Sequence, residues 1–231
     1  MSFSTGYAMD IVMCVDATGS MSRVINEIKR TALAFHDRLA EAMEEAGKSV
    51  DKLRVKVIAF RDYAESSAPA VEMSDFFTLP EDNEDFGAFV RGIEADGGGD
   101  IPENSLEALA LALRSDWTTD GERRRHVILL FTDAPALPLG ERAAYPGYPE
   151  EMPADLKELA TWWESPGQST LDSTYEARAG RLFAFVPPVA PFTEMESWSR
   201  FFPVYSKNPA GPDELDMQEV IALIVQGAIH F

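Results

Sequence analysis

Ile11-Val12-Met13-Cys14-Val15-Asp16-Ala17-Thr18-Gly19-Ser20-Met21 is an apolar run that stops at an acid and turns into small, oxygen-bearing residues. Consecutive apolar residues without alternation fit a central parallel strand covered on both faces. Downstream, Met21 to about Ala46 has helical spacing. Val24, Ile28, Ala32, Phe35, Leu39 and Met43 form one stripe, with Arg23, Glu27, Arg30 and Glu41 off it. Gly47 reads as the stop.

The same unit recurs along the chain. Val55, Val57 and Ala59-Phe60 predict a second strand ending in Arg61-Asp62-Tyr63, and Ala70 to Leu79, preceded by Pro69, predicts an edge strand. A helix is expected over about 82–93. The glycine-rich loop Asp96 to Asp100 follows, and Pro102 is expected to open a third helix, apolar nearly all round through Leu106, Leu109, Leu111 and Leu113. Val127 to Phe131 predicts a buried strand ending at Thr132-Asp133. Beyond a Pro-, Gly- and Tyr-rich loop over 134–150 come a short helix (Leu156 to Trp163) and a strand (Leu182 to Val186). A short helix (Glu194 to Phe201), a last strand near Val204-Tyr205 and a terminal helix from Asp213 to about Ile229 complete the pattern. These elements predict one α/β domain over residues 1–231. Its core is a doubly wound, mostly parallel six-stranded sheet with one antiparallel edge strand and helices on both faces. Ligands of such sheets collect at the carboxyl ends of the strands, where Asp16, Arg61-Asp62 and Asp133 fall.

Composition narrows the function. The 231 residues carry 39 acids against 20 Lys plus Arg, a formal net charge of −19. That excess argues against nucleic acid and anionic membranes, both of which are held by basic patches, and favours cations and basic partners. An acidic solvated face is the plainer explanation of part of the excess. Cys14 is the single cysteine, so no intramolecular disulfide is possible, and no leader-like start or membrane-spanning run is present. The chain reads as cytoplasmic.

The first turn is the candidate site. Asp16, Thr18 and Ser20 place oxygens at alternate positions where a strand enters a helix, and hard cations such as Mg²⁺ require oxygen ligands. Ser20 or Ser22 serves equally well as a simple helix cap. Asp133 ends a strand expected beside the first, where it could also be an ordinary turn residue. Gly97-Gly98-Gly99-Asp100-Ile101-Pro102-Glu103 adds two carboxylates, Asp100 and Glu103, on a glycine stem that could equally be a flexible connection. Three segments with hard donors converging on one sheet edge favour a metal site over three separate local roles.

This arrangement resembles the von Willebrand factor A, or integrin I-like, fold with its metal-ion-dependent adhesion site. The family pattern Asp-x-Ser-x-Ser is met by Asp16, Thr18 and Ser20, in the variant D-x-T-G-S-M, and its third element by Thr132-Asp133. Phe60-Arg61-Asp62-Tyr63 resembles the stretch after the second strand in the same branch. The middle element departs from the usual Thr: "GGGDIPEN" looks like the D-x-P-E loop of integrin β subunits. The resemblance implies Glu103 as a ligand of the main metal and Asp100 at an adjacent site. It further implies direct binding by the hydroxyls, with Asp16 and Asp133 acting largely through water. Mg²⁺ is the implied cofactor, with Mn²⁺ or Ca²⁺ possible, and an Asp or Glu of a protein partner fills the open coordination position.

The loop after Asp133 carries Tyr145 and Tyr148, expected either to meet the partner or to pack on the domain's own surface, and Arg142, expected to steer an acidic partner segment. His36, His126 and Cys14 read as structural. No HExxH, Walker loop or GxSxG is present. Thr18 stands where a phosphatase of the haloacid dehalogenase type needs a second Asp. A metal-dependent hydrolase therefore ranks below a binding module, with Glu103 or Asp62 as its nearest base. A third reading is a scaffold whose partner binding needs no metal, as resembled by bacterial adaptors of MoxR-type AAA+ ATPases.

Overall fold

The computed structural model of the chain describes residues 6–64, 69–98, 102–206 and 216–230. Asp100, Gly99, the first five residues and the expected start of the terminal helix at Asp213 lie outside them. All ten residues of β1 (Tyr7–Asp16) are buried. It pairs in parallel with β2 (Val50–Phe60) on one side and β5 (Arg124–Phe131) on the other. β6 (Gly180–Val186) and β7 (Phe201–Tyr205) continue the sheet in parallel beyond β5. At the other flank β3 (Val71–Met73) and β4 (Phe77–Leu79) both run antiparallel to β2, giving the order β3-β2-β1-β5-β6-β7.

The doubly wound α/β sheet is therefore as predicted, with one refinement. The single edge strand expected over Ala70 to Leu79 is two short strands, so the sheet has seven strands instead of six. Ser74 is the cause. Its N–H donates to the Val57 carbonyl and its hydroxyl accepts the Val57 N–H, each at 3.0 Å. A side chain thus takes a ladder position. Ser74 to Phe76 stand opposite only Lys56 and Val57, as in a bulge, and pairing restarts at Phe77.

Side chains of β1 alternate between two cores. Met9, Ile11, Met13 and Val15 pack with α1 (Ser22–Thr31), α2 (Phe35–Glu45), α3 (Asn83–Gly92) and α6 (Met217–His230). Val12 and Cys14 face α4 (Ser105–Leu113) and α5 (Leu156–Glu164). The long helix expected from Met21 to Ala46 keeps its buried stripe but is broken by a 3₁₀ turn at Ala32–Ala34. Thr31 precedes the break; its hydroxyl donates to the Glu27 carbonyl at 2.8 Å, a back-bond that bends helices. Every residue of α4 is buried, as its composition requires.

Pro102 does not open α4. Glu103 forms a parallel bridge with Ala136, its N–H donating to the Pro135 carbonyl at 2.9 Å and its carbonyl accepting from Leu137 at 2.8 Å. The helix starts only at Ser105. This bridge draws the glycine-rich segment and the loop after β5 together at the carboxyl edge of the sheet.

Candidate metal and partner site

Asp16 is the last residue of β1 and is fully buried. Its Oδ1 accepts from the Thr18 N–H at 2.9 Å and the Thr18 hydroxyl at 2.6 Å, and its Oδ2 accepts from the Thr132 hydroxyl at 2.6 Å. Burial pushes the Asp16 carboxyl up to about 6; the hydrogen bonds from Thr132 and Thr18 pull against that rise, while the charge of Asp133 adds to it. Thr18 Oγ1 lies 3.3 Å from Ser20 Oγ. Neither the 3₁₀ turn at Gly19–Met21 nor α1 has a side-chain cap. Helix capping therefore does not account for the hydroxyls of Ser20 and Ser22.

The donor set fits a hard cation. Two cis oxygens in an octahedral Mg²⁺ shell with bonds of about 2.1 Å stand roughly 3 Å apart, close to the Thr18–Ser20 spacing. Because the Thr18 proton is directed at Asp16, the Thr18 oxygen keeps its lone pairs for another partner. Among the described residues, no group of three or more His, Cys, Asp or Glu side chains is arranged to hold a metal ion. A cation at this turn would thus rest chiefly on Thr18 and Ser20, with Asp16 orienting the Thr18 hydroxyl.

The glycine-rich segment is clamped to the same turn. Asp96 N–H donates to the Ala17 carbonyl at 2.9 Å and Gly19 N–H to the Gly97 carbonyl at 3.2 Å. Gly97 and Gly98 have φ of 80° and 94°, and a Cβ on Gly98 would lie 3.1 Å from Thr18 Cβ. These glycines admit close backbone approach as well as a left-handed conformation. Glu103 is buried at the far end of the segment, and Asp133 is half-buried after β5.

Of the three residues expected to face a partner, Tyr145 is exposed at 41%. Arg142 is engaged with buried Asp62 by two hydrogen bonds of 2.8 Å. Burial works to raise the Asp62 carboxyl, but the Arg142 contacts and the Ala64 N–H outweigh it and hold it below the usual range. Tyr148 turns inward. Its hydroxyl donates to Glu107 Oε1 at 3.0 Å and accepts from Gly140 N–H at 2.9 Å, and its ring lies 5.2 Å from that of Tyr63. The lone acid in an otherwise apolar helix was the one sequence signal of this second polar cluster. Glu107 is fully buried, and so is Asn104, whose Oδ1 accepts the Tyr63 N–H. Glu107 Oε2, Asn104 Nδ2 and Tyr63 OH have no hydrogen-bond partner among the described residues.

His126 is a buried structural residue. It stacks on Trp117 at 4.9 Å, with Nε2 3.1 Å from the Thr118 carbonyl and Nδ1 accepting from Glu176 N–H. Cys14 is buried with its thiol pushed far up by desolvation.

The von Willebrand factor A domain model matches residues 10–139, from β1 through the loop after β5. The chain belongs to the von Willebrand factor A domain family. This A domain is 28% identical over 131 residues to an ariadne-like RING finger protein of Acanthamoeba polyphaga mimivirus, a match covering 55% of this chain and 11% of that protein. Two solved structures share its fold. The von Willebrand factor type A protein from Catenulispora acidiphila is 12% identical with a TM-score of 0.54, over 97% of this chain and 43% of that one. The pilus adhesin SpaC from Lactobacillus rhamnosus GG is 10% identical with a TM-score of 0.56, over 98% and 31% respectively. The A domain thus spans less than half of each of these proteins. Domains of this family typically serve as protein-interaction modules. No helix among the described residues is long and apolar enough to cross a membrane.

Proposed function

We propose that this A domain is a divalent-cation-dependent protein-binding module in which Mg²⁺, or Mn²⁺ or Ca²⁺ in its place, captures a carboxylate of a protein partner. The observation that carries this reading is the Asp16–Thr18–Ser20 geometry: two hydroxyl oxygens 3.3 Å apart, backed by a buried carboxylate that orients one of them. Neutral oxygens leave a cation electrophilic, so an external carboxylate is attracted to it. Asp133 and Glu103 are assigned to the same ion, and Asp100 to an adjacent one. Tyr145 is the exposed contact flanking it. With a net charge of −19, a partner that is basic overall and offers one acidic side chain meets the domain best. An adaptor role beside a MoxR-type AAA+ ATPase in a cytoplasmic assembly is the partner system to test.

Hydrolysis is less well supported. Asp62, one of the two nearest bases, is held ionised with both oxygens engaged by Arg142. A carboxylate held below the usual range and bonded to Arg142 through both oxygens is a weak base for abstracting a proton.

Calorimetry with Mg²⁺ and Mn²⁺ on the wild type, Asp16→Ala and Ser20→Ala tests the reading. Ser20 is exposed, so its replacement leaves the fold intact. One equivalent bound by the wild type and at least about ten-fold weaker binding by Ser20→Ala is expected. A wild type that binds neither ion, or a Ser20→Ala that binds as tightly, overturns it.

A further inference from the structure

On the α4/α5 face of the sheet lies a groove of about 460 Å³ that the sequence does not announce. Leu106, Leu137, Leu139, Leu156 and Pro191 line it, and Asp155 stands at its rim. Leu106 and Leu137 are buried at its base, while Leu139 and Leu156 are only partly covered. Its walls come from four places: the start of α4, the loop after β5, the start of α5 and the loop after β6. Both of the first two also carry candidate metal-site residues. Glu103 is three residues before Leu106, and its bridge to Ala136 sets the wall formed by Leu137. Asp133 is four residues before Leu137. The Glu103–Ala136 bridge thus ties one wall of the groove to the segment that carries Glu103.

We infer that this groove receives an apolar side chain of a basic partner segment, next to the carboxylate that the proposed metal captures. The volume suits one or two leucine-sized groups, the kind of anchor that fills a pocket at the centre of an interface. Charge selects the flanks. Asp155 is the charged residue among those lining the groove, no cationic side chain among the described residues lines it, and the chain as a whole carries a formal net charge of −19. A segment with Lys or Arg around its anchor is attracted there, whereas an acidic one is repelled. The inference rests on the metal-binding reading for the location of the acidic contact. The apolar and basic features are independent of that reading.

Selection of a random displayed-peptide library on the full chain, with Mg²⁺ and separately with chelator, tests it. Enriched peptides are expected to share a Leu, Met or Phe flanked by Lys or Arg. Their affinity is expected to fall at least about ten-fold in Leu139→Ser and in Leu156→Ser, with melting curves confirming that both variants fold. Binding that depends on the anchor but not on Mg²⁺ upholds the groove and sinks the metal reading. Mg²⁺-dependent binding that both Ser variants retain upholds the metal and overturns the groove. Failure to enrich any peptide of this pattern also overturns the groove.

Discussion

The Thr132 hydroxyl donates to Asp16 Oδ2 at 2.6 Å, joining the ends of β5 and β1 across 116 residues of chain. Asp16 is fully buried, and among the described residues no cationic side chain is hydrogen-bonded to it, so the donors from Thr132 and Thr18 are what keep its carboxylate satisfied. Thr132 also accepts the Ala134 N–H, which sets the turn leading into the loop after β5.

Replacing Thr132 with Val keeps its shape and strips the donor. An unsatisfied buried carboxylate oxygen costs about 1–3 kcal/mol. Urea denaturation is expected to show that loss, and Thr132→Ser is expected to recover most of it.

Gly98→Ala and Gly147→Ala separate two costs. Both glycines have positive φ, 94° and 82°, but a Cβ on Gly98 meets Thr18 whereas one on Gly147 meets open space. The Gly147 variant is expected to lose about 1 kcal/mol from backbone strain alone. The Gly98 variant loses more and shifts the Thr18 side chain. Equal melting temperatures for the two variants would contradict the close packing of the glycine segment on the Asp16–Ser20 turn.

Arg142→Ala leaves Asp62 buried without its bidentate partner. Because the Arg142 side chain is 19% exposed, solvent screening discounts the effect to about 1–3 kcal/mol. Arg142→Lys is expected to recover little, since one ammonium cannot reproduce two parallel N–H donors. Denaturation midpoints of the three proteins at one pH check this.

Two buried groups give pH dependences of opposite sign. Burial lowers His126 below its ordinary 6.5, so the unfolded chain binds the proton first. Its contribution to stability is present above 6.5 and is lost as pH falls through that value toward the folded pKa. Burial raises Glu107 above 4.5, with Asn104 and Tyr148 only partly offsetting it. That stabilisation is present below 4.5 and lost as pH rises through the folded pKa. Glu107→Gln is thus expected to gain stability over the wild type as pH rises above 4.5, read as a widening gap between their denaturation midpoints. A difference that stays constant over that range would show that Glu107 does not change its protonation there.

Sequence alone determines the layers of this A domain and the sheet edge where the candidate site lies. Continuous apolar runs such as Ile11 to Val15 have only one favourable environment, between two helical layers. The stripe from Val24 to Met43 can be buried only on one side of a helix. These are local regularities, repeated at each residue, so composition and period reveal them. Asp16, Thr18 and Ser20 are legible for the same reason, because their oxygens are aligned by a single tight turn.

What tertiary structure decides is which distant groups meet. The Thr132–Asp16 contact, the Arg142–Asp62 pair, the Glu107–Tyr148 bond and the Glu103–Ala136 bridge each join segments 33 or more residues apart. Ser74 splits the edge strand only because Val57 lies opposite it, and Pro102 fails to start a helix only because the loop after β5 takes the backbone of Glu103. A hydrogen bond has no periodicity along the chain. Its partner is set by sheet order and register, which exist only once the strands have packed.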